Sequence, residues 1–206
     1  IVRQTPVPEI IRQAIIESYS TLCDEYGQGT DVAVRSSATT EDSVDASFAG
    51  QYESFLNVSG ERAVISQWRQ CVASLFTERA IGYQLDKGMN PLESSLSVVV
   101  MKMVRSDLAC SGVMFSIDPD SGHKGVIHVA AAYGLGELVV QGSVTPDTFT
   151  VWKEGLKKNK FAIVHRVLGS KDRKMVYAQD GVSDVEVSQV SLQERRQWAL
   201  NNAECR

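Results

Sequence analysis

Apolar residues in the first part of the chain alternate between helical and strand spacings. After the first two prolines they repeat every three or four positions, which predicts an amphipathic helix over residues 8–25. Short apolar runs at residues 31–35 and 52–58 predict two strands that pair as a hairpin. A second helical repeat predicts one long helix over residues 61–84.

From about residue 93 the helical spacing gives way to β-like runs divided by Gly, Asp and Pro. Ser191 and Glu194 then form a capping-box pattern, which predicts a helix continuing to the chain end. These textures indicate an α+β fold of two lobes, an α/β lobe at 1–92 and a strand-rich lobe at 93–206, truncated in that helix. The predicted strands of the second half are 96–104, 112–117, 126–132, 148–152, 163–168 and 174–177.

Composition narrows the class of protein only modestly. The chain has 206 residues, 43% hydrophobic and 22% charged, which is ordinary for a globular protein. A net charge of -4 gives no basic surface for nucleic acid or anionic lipid. The longest apolar run, at 98–104, is interrupted by Lys102 and is too short to cross a bilayer. We therefore expect no nucleic-acid or membrane partner, and the cytoplasm is the default compartment.

Four cysteines are scattered along the chain without a CxxC pair. That spacing predicts neither a zinc site nor a redox motif, so we expect reduced cysteines that mostly pack in the interior. The chain also begins without Met and ends in a predicted helix, so we expect a fragment that is incomplete at both ends.

The end of the first strand is the strongest candidate for chemistry. Arg35 ends an apolar run and is followed by a Ser-, Thr- and Asp-rich loop over residues 36–50 that has no regular period. A guanidinium suits bidentate phosphate contact, and small hydroxyl residues let backbone N–H groups approach an anion. Gly50 gives the loop the freedom of a lid. The alternative is an arginine paired with a carboxylate beside a polar turn.

Lys102 is a second candidate because it interrupts a strongly apolar strand. A lysine there either reaches a phosphate or carboxylate in a cleft, or extends to solvent from an edge strand. The neighbouring Met101 and Met103 are suited to line a flat adenine pocket.

Three other patterns fail in detail. The Gly134–Gly136 pair would need a third glycine where Val139 stands, so a tight turn is expected there instead. The segment 118–122 begins like a calcium loop, but its twelfth position, Val129, cannot be a ligand. The three histidines have no recognisable nucleophile nearby.

Four blocks in order resemble the phosphoenolpyruvate synthase (pyruvate, water dikinase) family. The first block is shared with rifampin phosphotransferases and, more distantly, with pyruvate, phosphate dikinases, and the last two are more particular to the synthase. The blocks are VAVRSSATTEDSVDASFAGQYESFLNV at 32–58, VVVMKMVRSDLACSGVMFSIDPDSG at 98–122, AAYGLGELVVQGSVTPDTFTVWK at 131–153 and LGSKDRKMVYA at 168–178.

The resemblance implies an ATP-grasp-like nucleotide-binding domain with two lobes. In this family ATP passes its β-phosphoryl group to a histidine on a separate domain, and a further domain phosphorylates pyruvate. The net reaction converts ATP, pyruvate and water into AMP, phosphoenolpyruvate and phosphate, with Mg²⁺. A related phosphotransferase of the same superfamily and a non-catalytic nucleotide-binding module stay open as alternatives.

The resemblance also assigns roles to residues. Arg35 matches the family arginine on the nucleotide phosphates, and Ser36 begins the phosphate-covering segment that ends at Gly50. Gly50 and Ser54 match ATP-contacting positions, where Ser54 is often Thr.

On the adenine side, Met101 stands where the family usually has Gln, which leaves a backbone contact as the expected interaction. Lys102 and Met103 continue that strand.

Other family motifs do not occur in this chain. They are an upstream nucleotide-binding lysine, a DIE-type carboxylate pair for Mg²⁺, an LQ-R motif and the catalytic histidine. The resemblance therefore implies weak nucleotide binding at best and no turnover by these residues alone. It also implies partner domains in a longer chain, which we expect to form a homodimer.

Overall fold

A computed structural model describes residues 2–38, 42–43, 46–47, 53–93, 95–178 and 185–205. Internal contacts divide the chain into two compact units, Ile1–Met103 and Val104–Arg206. The boundary predicted at residue 92 does not coincide with this division. The strand after it pairs along its whole length with the first strand of the chain, and it therefore belongs to the first unit.

In its described residues, the first unit combines three α-helices with a three-stranded antiparallel sheet in the order β4-β1-β5. The antiparallel pairing predicted between the first two long strands is confirmed as β1 with β4. Two short strands, β2 and β3, form a separate pair. The elements are a 3-10 helix Val2–Gln4, α1 Glu9–Tyr26, β1 Val32–Ala38, β2 Asp42–Ser43, β3 Ala46–Ser47, β4 Ser54–Val58, α2 Glu61–Ser74, α3 Glu78–Asp86 and β5 Leu96–Lys102.

The helices α1 and α2 cover one face of this sheet. Val32 and Val34 of β1 point toward them and are fully buried, as the period of two in a strand requires. They form one core with residues from both helices and from β4, and Val98 and Val100 of β5 pack against it. The other members of that core are Tyr19, Cys23, Val58, Val64 and Cys71.

The long helix predicted over residues 61–84 is wrong in one respect, because it is broken between α2 and α3. The hydroxyl of Ser74 donates to the carbonyl of Cys71 at 2.7 Å. Thr77 then caps α3, since its side chain accepts the N–H of Ala80 at 3.3 Å. These local hydrogen bonds satisfy backbone groups at the break, which apolar spacing alone does not predict.

The second unit is built on a four-stranded antiparallel sheet in the order β6-β7-β8-β9, with β10 and β11 as a separate pair. All the predicted strands of this half are confirmed within a few residues, and β11 is one that the sequence did not predict. The elements are a 3-10 helix Ser106–Leu108, β6 Cys110–Phe115, β7 Val126–Tyr133, α4 Glu137–Val140, β8 Asp147–Trp152, α5 Lys153–Lys157, β9 Ile163–Val167, β10 Arg173–Tyr177, β11 Val185–Gln189 and α6 Leu192–Arg195.

The core of the second unit lies between the sheet and the last residues of the chain. Phe149 and Val151 of β8 are almost fully buried, and Cys205 packs with them. The ring of Trp198 lies 5.5 Å from that of Phe149 at an interplanar angle of 56°, a favourable tilted geometry. The terminal segment is thus part of this core.

The predicted helix that runs to the chain end is wrong, because α6 is short. Its capping box is present as predicted, but a buried ion pair stops the helix. Lys171 donates to the carbonyl of Arg195 at 3.3 Å, and Asp147 accepts the N–H of Ala199 at 2.7 Å. In a continuing helix those two backbone groups would bond to each other. Here both backbone groups form hydrogen bonds with the ion pair instead.

The tight turn predicted after β7 is confirmed. Gly134 has φ 83°, and a Cβ there would lie 2.4 Å from the carbonyl oxygen of Met175. The N–H of Leu135 donates to that same carbonyl at 2.8 Å, which joins the turn to β10. Glycine is needed here because the two backbones approach too closely for any side chain.

Two other expectations are confirmed. The segment 118–122 is a turn, in which Gly122 donates its N–H to the carbonyl of Asp118 at 2.8 Å. All four cysteines are free thiols, and three of them are buried. Among the described residues, no helix is long and apolar enough to cross a membrane.

Candidate functional site

Arg35 lies on the face of the three-stranded sheet that α1 and α2 leave uncovered, which we call the outer face. It follows Val34, whose side chain points to the helices, so strand alternation places Arg35 on the opposite side. Its side chain is exposed. The predicted strand end at Arg35 is wrong, because β1 continues to Ala38 and places Arg35 in the middle of the strand with its guanidinium on the outer face.

Ser54 is brought directly opposite Arg35 in the antiparallel pair of β1 and β4. Residues opposite each other in such a pair share a face, so Ser54 also lies on the outer face, and it is exposed. Eighteen residues lie between the two in the sequence, and strand pairing brings them together. Just beyond, the register of the two strands shifts, and Asn57 adopts φ 56°.

Met101 lies on the same outer face, on the other side of β1. It pairs with Ala33, and its neighbour on that face, Val99, pairs with Arg35. Met101 and Val99 are each 45% exposed. The outer face therefore presents a cation and a hydroxyl at one end and two uncovered apolar side chains beside them.

The structure does not bring Lys102 to this face. Strand alternation places Lys102 with Val100 on the helix side, where its Nζ lies 4.2 Å from the ring centroid of Tyr26 in α1. An ammonium over an aromatic face is a stabilising contact. Of the two interpretations of Lys102, the exposed edge-strand residue fits better than the phosphate ligand.

Ser36 and Met103 are also separated from the outer face. Ser36 pairs with Val98 and so shares the helix side of the sheet. Met103 is buried, and its N–H donates to the carbonyl of Asp31 at 3.0 Å. Gly50 and about half of the predicted loop at 36–50 lie outside the described residues. The loop prediction is wrong for the described part, because residues 36–38 belong to β1 and the other described residues form β2 and β3.

Cys71 lies directly behind the Arg35 and Ser54 pair, and sequence analysis did not single it out. Its Sγ lies 3.7 Å from the carbonyl oxygen of Val34 and 3.7 Å from that of Glu53. Burial, together with the smaller effect of the negative charge of Glu53, raises the pKa of this thiol to about 12. The helical spacing in α2 was the only available signal, and it shows burial alone.

Metal ligands are not clustered in the described part of the chain. Those residues contain no group of three or more His, Cys, Asp or Glu side chains able to hold a metal ion. In the second unit, His128 and His165 both lie opposite Thr150, so a strand separates them. The fold thus gives the histidines no shared site.

The outer face thus combines an exposed guanidinium, an exposed hydroxyl and two partly exposed apolar side chains. The family that matches is the pyruvate phosphate dikinase AMP/ATP-binding domain, over residues 1–206. The chain belongs to this nucleotide-binding family.

Within this family, the chain is similar to several phosphoenolpyruvate synthases. The chain is 48% identical over 209 residues to the phosphoenolpyruvate synthase of Synechocystis, with 99% of this chain and 26% of the relative covered. It is 46% identical to that of Aquifex aeolicus, with 99% and 24% covered. It is 48% identical to that of Escherichia coli, with 97% and 25% covered. The chain thus spans about a quarter of the length of these relatives.

Proposed function

We propose that this chain is the ATP-binding part of a phosphoenolpyruvate synthase, with an ATP-grasp-like fold of two lobes. The observation that carries the proposal is the shared position of Arg35, Ser54 and Met101 on the outer face of one sheet. Membership of the AMP/ATP-binding family and the similarity to phosphoenolpyruvate synthases support it.

Arg35 has the role of holding and neutralising phosphate oxygens. A planar guanidinium offers two parallel donors to a phosphate, and it stays charged at any physiological pH. Phosphoryl transfer depends mainly on positioning and charge stabilisation, so a fixed cation on a strand is a suitable contribution from the protein. The hydroxyl of Ser54, opposite Arg35, supplies an additional neutral donor.

Met101 and Val99 have the role of an apolar surface for the adenine ring. Both are partly exposed beside Arg35 on the outer face. A thioether adapts its shape to a flat aromatic face without requiring a hydrogen bond. This explains how methionine can stand where relatives usually place glutamine. The assignment of Ser36, Gly50, Lys102 and Met103 to ATP stays a prediction from the family resemblance.

The complete reaction is proposed for the longer enzyme. It would convert ATP, pyruvate and water into AMP, phosphoenolpyruvate and phosphate through a phosphohistidine on another domain. The family resemblance leads us to expect the Mg²⁺ ligands downstream of this chain. Cytoplasmic location and homodimer formation stay predictions from the sequence.

The test is calorimetric titration of the full-length enzyme with Mg-ATP. Arg35→Ala should weaken binding about tenfold or more, because it removes charge-assisted hydrogen bonds to phosphate. Arg12→Ala is the matched control, since Arg12 lies on α1 and pairs with Glu9 at 2.7 Å, on the helix side. Arg12→Ala should bind ATP like the wild type.

Equal affinity of Arg35→Ala and wild type would remove the outer face from the ATP site. The reaction itself is tested separately, by measuring AMP and phosphate release that depends on pyruvate. An enzyme that binds ATP but shows no pyruvate dependence would favour another phosphotransferase of the superfamily.

A further inference from the structure

The thiol of Cys71 contacts the backbone on both sides of the candidate phosphate-binding pair. Cys71 belongs to α2 and is fully buried. Its Sγ lies 3.7 Å from each of two carbonyl oxygens, those of Val34 and Glu53. Val34 immediately precedes Arg35, and Glu53 immediately precedes Ser54. One side chain from a helix therefore touches both strands one residue before each proposed phosphate contact.

Because peptide groups are planar, these contacts also fix the orientation of the backbone at Arg35 and Ser54. The carbonyl of Val34 and the N–H of Arg35 belong to one rigid peptide group, and so do the carbonyl of Glu53 and the N–H of Ser54. A donor that holds both carbonyls fixes the two peptide planes from which the outer-face side chains project. The contact thus acts through the sheet, from the helix side to the outer face.

The chemistry of the thiol suits this role. Because burial and the Glu53 carboxylate hold the pKa of Cys71 far above neutrality, the group is a neutral S–H donor in the folded protein. Its single proton is shared between two carbonyls, and sulfur tolerates the longer distances. An alanine would leave both carbonyls without this partner, and a valine would fill the volume but donate nothing.

We infer that Cys71 is a positioning residue for the ATP site, which it serves by holding the carbonyls of Val34 and Glu53 and so aligning Arg35 with Ser54. This inference rests on the proposed function for the identity of the ligand. The alignment itself is independent of the ligand and can be measured without nucleotide.

The experiment compares Cys71→Ala, Cys71→Val and Cys71→Ser in the full-length enzyme with Cys23→Ala. Cys23 is the matched control, because it is buried in the same core but lies on α1. Two quantities are measured, the Mg-ATP dissociation constant and the amide hydrogen exchange of residues 34–36 and 53–55 in the absence of nucleotide.

We expect Cys71→Ala and Cys71→Val to weaken Mg-ATP binding about fivefold and to speed exchange at both strand segments, consistent with loss of a weak donor. Cys71→Ser keeps a donor and should restore binding to within about twofold of wild type. Cys23→Ala should lower stability while leaving the dissociation constant and the exchange of these segments unchanged.

Two results would overturn the inference. The first is wild-type exchange at residues 34–36 and 53–55 in both Cys71→Ala and Cys71→Val. The second is a loss of affinity in Cys71→Ser as large as in Cys71→Ala, which would show that volume rather than the donor matters. A failure of the proposed function would give a different result. In that case Arg35→Ala would bind Mg-ATP like the wild type, whatever effect the Cys71 variants had on amide hydrogen exchange.

Discussion

Asp147 and Lys171 form a fully buried ion pair, with Oδ1 and Nζ 2.5 Å apart. Asp147 also accepts the N–H groups of Gly169 at 2.8 Å and Ala199 at 2.7 Å. Lys171 donates in addition to the carbonyls of Gly169 and Arg195. The pair therefore joins β8, the loop before β10 and the terminal segment through one desolvated cluster, in which each charge has its partners.

Breaking this ion pair on one side should be strongly destabilising. Asp147→Asn leaves a buried ammonium without its counter-ion, so we expect a loss of about 3–5 kcal/mol in the free energy of unfolding. Urea unfolding followed by tryptophan fluorescence measures it, because Trp198 packs on Phe149 of the same core. The double variant Asp147→Leu, Lys171→Met should lose much less, since no unpaired charge remains. A double variant as unstable as Asp147→Asn would contradict this account.

Alanine substitutions at Gly134 and Gly142 can distinguish two contributions to stability, the cost of a steric clash and the cost of a left-handed backbone conformation. Both have positive φ, 83° and 66° respectively, but only at Gly134 would a Cβ collide with backbone, 2.4 Å from the Met175 carbonyl oxygen. Gly142→Ala should cost about 1 kcal/mol from the left-handed conformation alone. Gly134→Ala should cost about 2 kcal/mol more, because β7 and β10 must separate. Thermal unfolding of the two variants measures the difference, and equal costs would rule out the steric explanation.

Asp107 should make the stability of the second unit depend on acid pH. Bidentate hydrogen bonds from Arg105, at 2.8 Å each, hold the pKa of this carboxyl below its ordinary value. A lowered pKa in the folded state means that the stabilisation is present above the ordinary carboxyl pKa and is lost as the pH falls through the folded value.

Asp107→Asn should therefore be less stable than wild type at pH 7, and the difference should shrink as the solution is made strongly acidic. Urea unfolding at a series of pH values measures both proteins. Asp120→Asn, an exposed aspartate of the same unit, is the control and should show no such convergence. A difference that stays constant down to strongly acidic pH would exclude this role for Asp107.

Lys102 should contribute less to ATP binding than Arg35. Its ammonium lies over the ring of Tyr26, on the side of the sheet opposite the outer face. Lys102→Ala should therefore change the Mg-ATP dissociation constant by less than about twofold and only slightly lower stability, as an exposed cation–π contact predicts. A tenfold loss of affinity, measured in the same titration as for Arg35→Ala, would instead place Lys102 at the phosphates.

The four thiols should differ in their reaction with iodoacetamide. Cys71 is fully buried with its pKa raised to about 12, so almost no thiolate forms near neutrality. Cys110 is only partly buried and should react first. Mass spectrometry of the native protein over time should show Cys110 labelled well before Cys71, and labelling of all four in urea. Early labelling of Cys71 would show that α2 separates readily from the sheet.

Much of the secondary structure could be predicted from the sequence, because apolar spacing records which side of an element is buried. The helix α1 and most of the longer strands of both units follow from that pattern. The break between α2 and α3 was missed because hydroxyl caps at Ser74 and Thr77 leave the apolar spacing intact. The strand β11 was missed because its pairing with β10, rather than its own composition, defines it.

The candidate site was also predicted only in part from the sequence. Arg35 and Ser54 were assigned from the family resemblance, and strand register places them opposite each other. Lys102 and Ser36 were assigned to the same ATP site, yet the period of two in a strand places them on the other side of the sheet. A linear motif does not distinguish the two faces unless the register is known.

By itself, the sequence determined the kind of most elements, through local apolar spacing, and the presence of an arginine directly after an apolar run. The nucleotide-binding family was indicated by the resemblance of four sequence blocks. Only the tertiary structure decided that Arg35 faces away from Lys102, that Cys71 bridges two strands, and that Asp147 with Lys171 ends the last helix. Each of those facts depends on pairing or contact between segments distant in the chain, and the pattern of a single segment carries no record of its partner.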